Sequence, residues 1–235
     1  SIHKKNCIEL KNKIEFLAYT DALKSNSLEG FECFFKNFPQ SSYSDSALIY
    51  RNIKAYQLSE TENTWIAFKR YLYSYPNSHL RQSALDNFNR LLYYSSTDNN
   101  SLAEYTEFVQ KYPDNPYRED AETWIYKLST IEGGIEDYEK FINSYPQNHH
   151  VSEAWKAIYQ LYTSDGNSMS IESFQLKYPQ YPYISGLIKD LENSKKLFFP
   201  VKKDKKWGYI DSTGTFIISP VFSSAESFVN NYAVI

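Results

Sequence analysis

Apolar and aromatic residues recur along this chain at helical spacing, and a proline closes each recurrence. Five aromatic-proline pairs mark the pattern: Phe38-Pro39, Tyr75-Pro76, Tyr112-Pro113, Tyr145-Pro146 and Tyr178-Pro179, with the prolines 37, 37, 33 and 33 residues apart. Five residues before each proline stand Phe34, Tyr71, Phe108, Phe141 and Phe174, and eight before stand Phe31, Phe68, Tyr105, Tyr138 and Ile171. Positions −8, −5 and −1 fall on one face of an α-helix. Eight after each proline come Ala47, Ala84, Ala121, Ala154 and Leu187. A small residue there lets a second helix approach the first while the ring at −5 fills the space beside it.

The polar positions set the boundaries. Twelve before each proline stand Ser27, Thr64, Ser101, Gly134 and Asn167, four of them good helix N-caps, and Ser101 with Glu104 forms a capping box. Proline disfavours helical geometry in the residue before it, so the first helix of each unit ends at the aromatic-proline pair. Ser41, Ser78, Asn115, Asn148 and Tyr181, two past the prolines, open a second helix, with Pro116 and Pro182 at its first position. Polar breakers separate the units at Ser59 to Asn63, Ser95 to Asn100, Glu132 to Gly134 and Ser164 to Asn167. This predicts helix pairs at about 27–62, 63–100, 101–133, 134–166 and 167–196, with an extra capping helix at 8–24 whose apolar residues are Ile14, Leu17, Ala18 and Leu23. One pair cannot bury its own apolar face, so stability must come from stacking neighbours.

From Leu197 the helical period vanishes. Leu197 to Val201 reads as a strand bounded by a lysine-rich turn. Lys206-Trp207-Gly208-Tyr209-Ile210-Asp211 follows, then a turn at Asp211 to Gly214 with its glycine at positive φ, a strand at Phe216-Ile217-Ile218 ending at Pro220, and a last strand at Tyr232 to Ile235. Trp207 reads as the anchor of a small β core rather than a ligand-stacking platform, with Gly208 letting backbone pass close to its ring. So small a unit buries little surface, and it is expected to lean on Leu187, Leu191 and Leu197.

The helical pattern resembles the tetratricopeptide family, most closely the branch in bacterial outer-membrane lipoproteins, whose repeats read aromatic-x3-Tyr-Pro-x-Ser followed by Ala. The resemblance covers about residues 27–196 and departs at the fifth copy, where Leu187 and Tyr181 replace the small residue and the cap. It implies a mainly α fold, a right-handed α-α superhelix whose concave wall binds protein or peptide segments, and a periplasmic, outer-membrane or cell-surface setting. The tail resembles a single unit of the WG-repeat family, through Lys206 to Asp211, Gly214, Ile217-Ile218, Pro220, Phe222, Ala225-Glu226, Phe228 and Tyr232 to Val234. That family's units come in tandem, which implies further repeats after Ile235. The expected domains are therefore a helical repeat domain at 1–196 and a small antiparallel β segment at 197–235.

Composition narrows the function classes. The 235 residues carry a net charge of −3, and the one dense basic run, Lys202, Lys203, Lys205 and Lys206, reads as a solvated turn rather than a phosphate site, so nucleic acid is not expected as a partner. No stretch approaches the roughly 20 apolar residues of a membrane span. Cys7 and Cys33 match no metal motif, and Cys33, inside a helical pattern, reads as a small apolar side chain. His3, His79, His149 and His150 sit at a terminus or on proline turns, and His149-His150 reads as a solvated helix start. Glu119-Asp120 and Glu136, Asp137 and Glu139 fall in first turns, where negative charge offsets the helix dipole. With 7 glycines the chain has no phosphate-cradling loop.

No catalytic residue, cofactor or metal ligand is therefore expected. The candidate partner-binding residues are the rings left over from the core register, Trp65, Trp124 and Trp155, together with Tyr73, Gln110 and Asn143. The latter belong to the variable position three before each proline, with Lys36 and Leu176; a tailored surface and an unconstrained one would both vary there. The expected function is a non-enzymatic protein-interaction scaffold. The alternative is the regulatory or recognition part of a larger envelope-associated protein or enzyme whose active domain lies outside these residues.

Overall fold

The computed structural model describes residues 2–164, 168–194, 198–211, 214–228 and 232–235, with backbone alone for 2–4, 168, 193 and 194. The expected cap Asn167, the strand and support residue Leu197, and Ser212 and Thr213 of the expected turn lie outside the described residues. Eleven helices are described: α1 (Ile2–Ser25), α2 (Leu28–Asn37), α3 (Ser44–Glu62), α4 (Trp65–Ser74), α5 (Arg81–Ser96), α6 (Leu102–Lys111), α7 (Arg118–Ser129), α8 (Ile135–Ser144), α9 (Val151–Tyr162), α10 (Ser168–Lys177) and α11 (Ile184–Ser194). An antiparallel sheet of β1 (Phe199–Lys203), β2 (Lys206–Ile210) and β3 (Phe216–Phe222) follows, in that order. The fold is thus mainly helical, with a small C-terminal sheet. Its contacts divide into two compact units, Ser1–Ala121 and Glu122–Ile235. In the first, each of α1 to α5 packs on the next helix; in the second, α8 to α11 do the same.

The local reasons repeat from copy to copy. Ser27, Thr64 and Ser101 accept hydrogen bonds from the backbone N–H groups of Gly30, Ala67 and Glu104, and Ser101 with Glu104 closes the capping box. At the other end the residue before each proline donates its N–H to the carbonyl of the −5 ring, at 2.8–2.9 Å in all five copies. The φ there runs from −128° to −133° in the first four, the extended geometry a following proline demands. The second helices start later than expected. Ser41, Ser78, Asn115 and Asn148 do not open them; their side chains accept from the N–H two residues on, making a turn, and the helix begins three residues past each. Pro116 consequently lies in that turn.

All five −5 rings are buried, and Ala47, Ala84, Ala121 and Ala154 are fully covered at 0% exposure. The fifth copy also folds: Tyr181 and Leu187 enter one cluster with Trp155, Phe174 and Tyr178, with Leu191 packed against it. Among the described residues that cluster draws on α8 to α11 and on Tyr178, Tyr181 and Tyr183 of the turn between α10 and α11. Within α1 the inward residues are Glu15, Ala18, Tyr19, Ala22 and Leu23, whereas Ile14 and Leu17 face solvent. Cys33 is exposed as well, and both thiols are free, so it does not serve as a core residue.

Joining one pair to the next is a tyrosine twenty residues before each proline: Tyr19, Tyr56, Tyr93, Tyr126 and Tyr159. Each belongs to the helix preceding a first helix and meets its −5 ring, with centroids 5.0–5.8 Å apart and planes at 58–78°. On the other side Tyr19, Tyr93 and Tyr126 stack flat on Tyr43, Tyr117 and His150, four past the prolines. Aromatic pairs of this kind add about 0.5–1.5 kcal/mol each beyond burial.

This seam has a pH signature. Burial is the first cause that raises the phenol pKa of Tyr56, Tyr93, Tyr126 and Tyr159, and that of Tyr93 rises to about 12 from the ordinary 10.0. The folded chain therefore holds protons that the unfolded chain gives up. The stability they confer is full below pH about 10 and is lost as pH rises through about 12. Alkaline titration should show tyrosinate absorbance and loss of the helical CD signal rising together in that window. Seam phenols ionising near pH 10 with the helices intact would contradict this.

In the sheet, β1 and β2 pair regularly from Phe199↔Ile210 to Lys203↔Lys206 around Asp204 and Lys205, both at positive φ, the geometry of a two-residue hairpin. The lysine run is thus a turn, with Lys202 over Trp207 and Lys203 over Phe216. Gly214 takes φ +83° as expected. Three expectations change. Tyr209, not Trp207, anchors the segment: it is 1% exposed, meets Phe228 at 4.9 Å and donates its hydroxyl to the Glu226 carbonyl. The third strand continues through Pro220 to Phe222, tolerable on an edge strand. The last residues form an isolated bridge at Tyr232, tied by Glu226 N–H to the Val234 carbonyl, rather than a strand.

Candidate functional site

First helices α8 and α10 carry the same aromatic register, and both pack on the second helix α9. In the second unit, Glu139, Ile142 and Asn143 of α8, Trp155 of α9, and Lys177, Tyr178 and Gln180 at the end of α10 line a cleft of about 340 Å³. Tyr178 donates its hydroxyl to Glu139 Oε1 at 2.5 Å, and Lys177 Nζ lies 3.4 Å from the same oxygen. Lys177 also sits over the Tyr178 ring at 4.9 Å. Burial, then the Glu139 carboxylate, pushes the Tyr178 phenol up; the Tyr178 contact, then Glu139, holds the Lys177 ammonium up. Both groups are therefore fixed at neutral pH, one a neutral phenol and the other a cation. Trp155 backs the cleft, 8% exposed, with its ring edge-on to Tyr178.

Two of the six expected residues, Asn143 and Trp155, meet here. The Trp155 indole belongs mainly to the core, whereas the Asn143 carboxamide is exposed. Gln110 is also exposed, and Tyr73 is 89% exposed; both lie on first helices of the first unit. Trp65 is half-buried against Phe88 with Lys69 over its ring, and Trp124, 40% exposed, carries Lys127 at 4.9 Å. The whole −3 row, including Lys36 and Leu176, is exposed. Sequence reading placed Glu139 with the first-turn carboxylates, took Tyr178 only as the ring before a proline, and left Lys177 and Gln180 unremarked. Glu139 instead turns into the cleft.

A second polar constellation lies between α7 and α9. Glu122, 6% exposed, accepts from His149 Nδ1 at 2.8 Å and from the His149 backbone N–H. His150 Nδ1 meets the Glu153 carboxylate, and its Nε2 lies 2.9 Å from Thr123 Oγ1. A carboxylate at Nδ1 makes that nitrogen the donor, which leaves a neutral ring's Nε2 to accept from the threonine hydroxyl. His149 is indeed solvent-facing, but His150 is stacked on Tyr126 and is not merely a solvated helix start. Since Asn148 also donates to the Glu122 carbonyl, the group clamps the proline turn of the fourth copy onto α7. Among the described residues no group of three or more His, Cys, Asp or Glu is arranged to hold a metal ion, and no helix is long and apolar enough to cross a membrane.

No curated protein matches the chain. Residues 207–235 match the family model of the WG containing repeat, the segment that begins at the Trp207-Gly208 pair and holds buried Tyr209.

Proposed function

We propose that this chain is a non-enzymatic interaction scaffold in which tetratricopeptide-like helix pairs stack as a right-handed superhelix and hold an extended protein segment along their first helices. The β segment extends that surface. The observation that carries the reading is the cleft between α8 and α10, where the Asn143 and Gln180 carboxamides stand beside the apolar Ile142 and Trp155. Carboxamides pair with the N–H and C=O groups of an extended backbone, and the apolar floor receives a side chain. The fixed Glu139–Lys177–Tyr178 group offers one orienting charge pair.

The test is selection of peptides from a displayed library on the full chain, followed by titration against variants. Asn143→Ala and Gln180→Ala should each weaken a selected peptide about fivefold to tenfold, one lost hydrogen bond apiece. Lys24→Ala, exposed on α1 and away from the first helices, should leave the same peptide unaffected. Failure to select any peptide, or peptides indifferent to both carboxamides, would remove this reading.

A further inference from the structure

The proline turn of the fourth copy differs in its chemistry from the same turn elsewhere. Four past the proline, Tyr43 and Tyr117 lie flat on the seam tyrosine in the first and third copies. His150 holds that position in the fourth and lies on Tyr126 in the same way. The stack asks for a ring, not for nitrogen. His149, one position earlier, meets Glu122, and the second copy provides a comparison: His79 stands at the same place with Leu80 after it, and Asn52 holds the position of Glu122. Imidazoles fill both positions only in the fourth copy.

Both rings turn the same edge toward α7. His149 Nδ1 lies 2.8 Å from Glu122 Oε2, and His150 Nδ1 meets Glu153 Oε2. Each Nδ1 therefore carries the hydrogen, and each Nε2 keeps a lone pair. The two lone pairs are directed to one place. Nε2 of His150 lies 2.9 Å from Thr123 Oγ1, Nε2 of His149 lies 3.5 Å from the same oxygen, and the ring centroids are 4.1 Å apart. One hydroxyl brings one hydrogen, so Thr123 can satisfy at most one of the two acceptors. A cation that accepts both electron pairs satisfies them together.

We infer that His149 and His150 bind a divalent transition-metal ion of the zinc class through their two Nε2 atoms, beside Thr123 Oγ1, with water completing the shell. Imidazole nitrogen suits zinc and its neighbours in the first transition row. Two imidazoles, rather than three or more ligating side chains, make the site an open one. The carboxylates stand behind the rings: an Nδ1–H donated to a carboxylate fixes tautomer and orientation and makes the opposite nitrogen more basic. Glu122 and Glu153 also set two negative charges against the ion, which offsets the repulsion that a cation meets at the start of α9. The His149 side chain is 41% exposed, so the ion reaches the pair from solvent.

Zinc titration of the full chain, read on the imidazole C–H resonances by NMR, tests this. Cys7→Ser with Cys33→Ser serves as the background, since both thiols are free and exposed and would compete for zinc. The His149 and His150 signals should shift together along one binding curve, with His79 unmoved. His149→Ala should raise the zinc dissociation constant at least about tenfold, and so should His150→Tyr, which keeps a ring on Tyr126 but removes the ligand. Glu153→Gln retains both ligands and should weaken zinc about tenfold or more, with helical CD unchanged. No shift at the pair, His79 titrating alongside it (an adventitious ion only), or either histidine variant binding zinc as tightly as the parent overturns the inference. None of these residues lines the α8–α10 cleft, so the peptide reading fails or stands separately.

Discussion

Phe108→Ala destabilises the first unit by about 3–5 kcal/mol, whereas Gln110→Ala, two residues along the same helix, changes it by no more than about 0.5 kcal/mol. Phe108 is 1% exposed and lies between Tyr93 at 5.2 Å and Tyr112 at 5.4 Å. Removing the ring opens a cavity and leaves the seam tyrosine of α5 without the edge-on partner that joins α5 to α6. In a repeat architecture neighbours supply most of each pair's stability, so the loss is felt on both sides of the cut. Urea unfolding followed by CD should show a lowered midpoint and, with the α5–α6 junction weakened, a broader transition. A cost below about 1 kcal/mol would mean that the −5 ring is not what holds successive helices together.

That ring was legible in the sequence because its distance from the proline never changes. The seam tyrosine was not, although it recurs as strictly. Measured forward from the preceding proline, Tyr56 and Tyr93 stand seventeen residues on, while Tyr126 and Tyr159 stand thirteen on. Measured back from the next proline all five stand at twenty. The four extra residues of the longer copies therefore lie on the near side of the tyrosine, in the body of the second helix: α3 and α5 run 19 and 16 residues against 12 for α7 and α9. The residue that packs on the next pair keeps its distance from that pair.

The same backward count exposes the joints. Thirteen before the prolines stand Asn26, Asn63, Asn100 and Gly133, all at positive φ, from 44° to 70°. Left-handed geometry ends the helix before each first helix and turns the chain into the next cap, and asparagine and glycine adopt it at least cost. Sequence reading saw Asn63, Asn100 and Gly133 only as polar breakers and passed over Asn26. The cleft was harder still. Glu139 and Lys177 are 38 positions apart and meet only because the fold sets α8 beside the end of α10; no local pattern contains that information. Asn143 was accessible because an exposed, variable position on a known helix face can be counted, and Trp155 because it falls outside the shared register.

Gly208→Val disrupts the β segment outright. A Cβ at Gly208 would collide with the Ile218 carbonyl oxygen and stand 2.8 Å from Pro220 N and from the Ser219 carbonyl carbon. All three neighbours are backbone, so no side chain can swing aside. The register explains the crowding: Trp207 pairs with Phe222 and Tyr209 with Ile218, so β3 places three residues opposite the single Gly208 and bulges toward it. The sequence suggested that the glycine makes room for the tryptophan ring; what it makes room for is the neighbouring strand. Relieving the collision means separating β2 from β3, which also uncovers Tyr209 and its hydrogen bond to Glu226. The expected loss is about 3 kcal/mol or more for the sheet, against about 1 kcal/mol for Gly214→Ala, where only positive φ is at stake and nothing crowds the new methyl group. Amide hydrogen exchange reads the difference directly: the Gly208→Val chain should lose protection across β1 to β3 while α8 to α10 keep theirs. Retained protection in β2 would mean that the bulge has room the backbone geometry denies it.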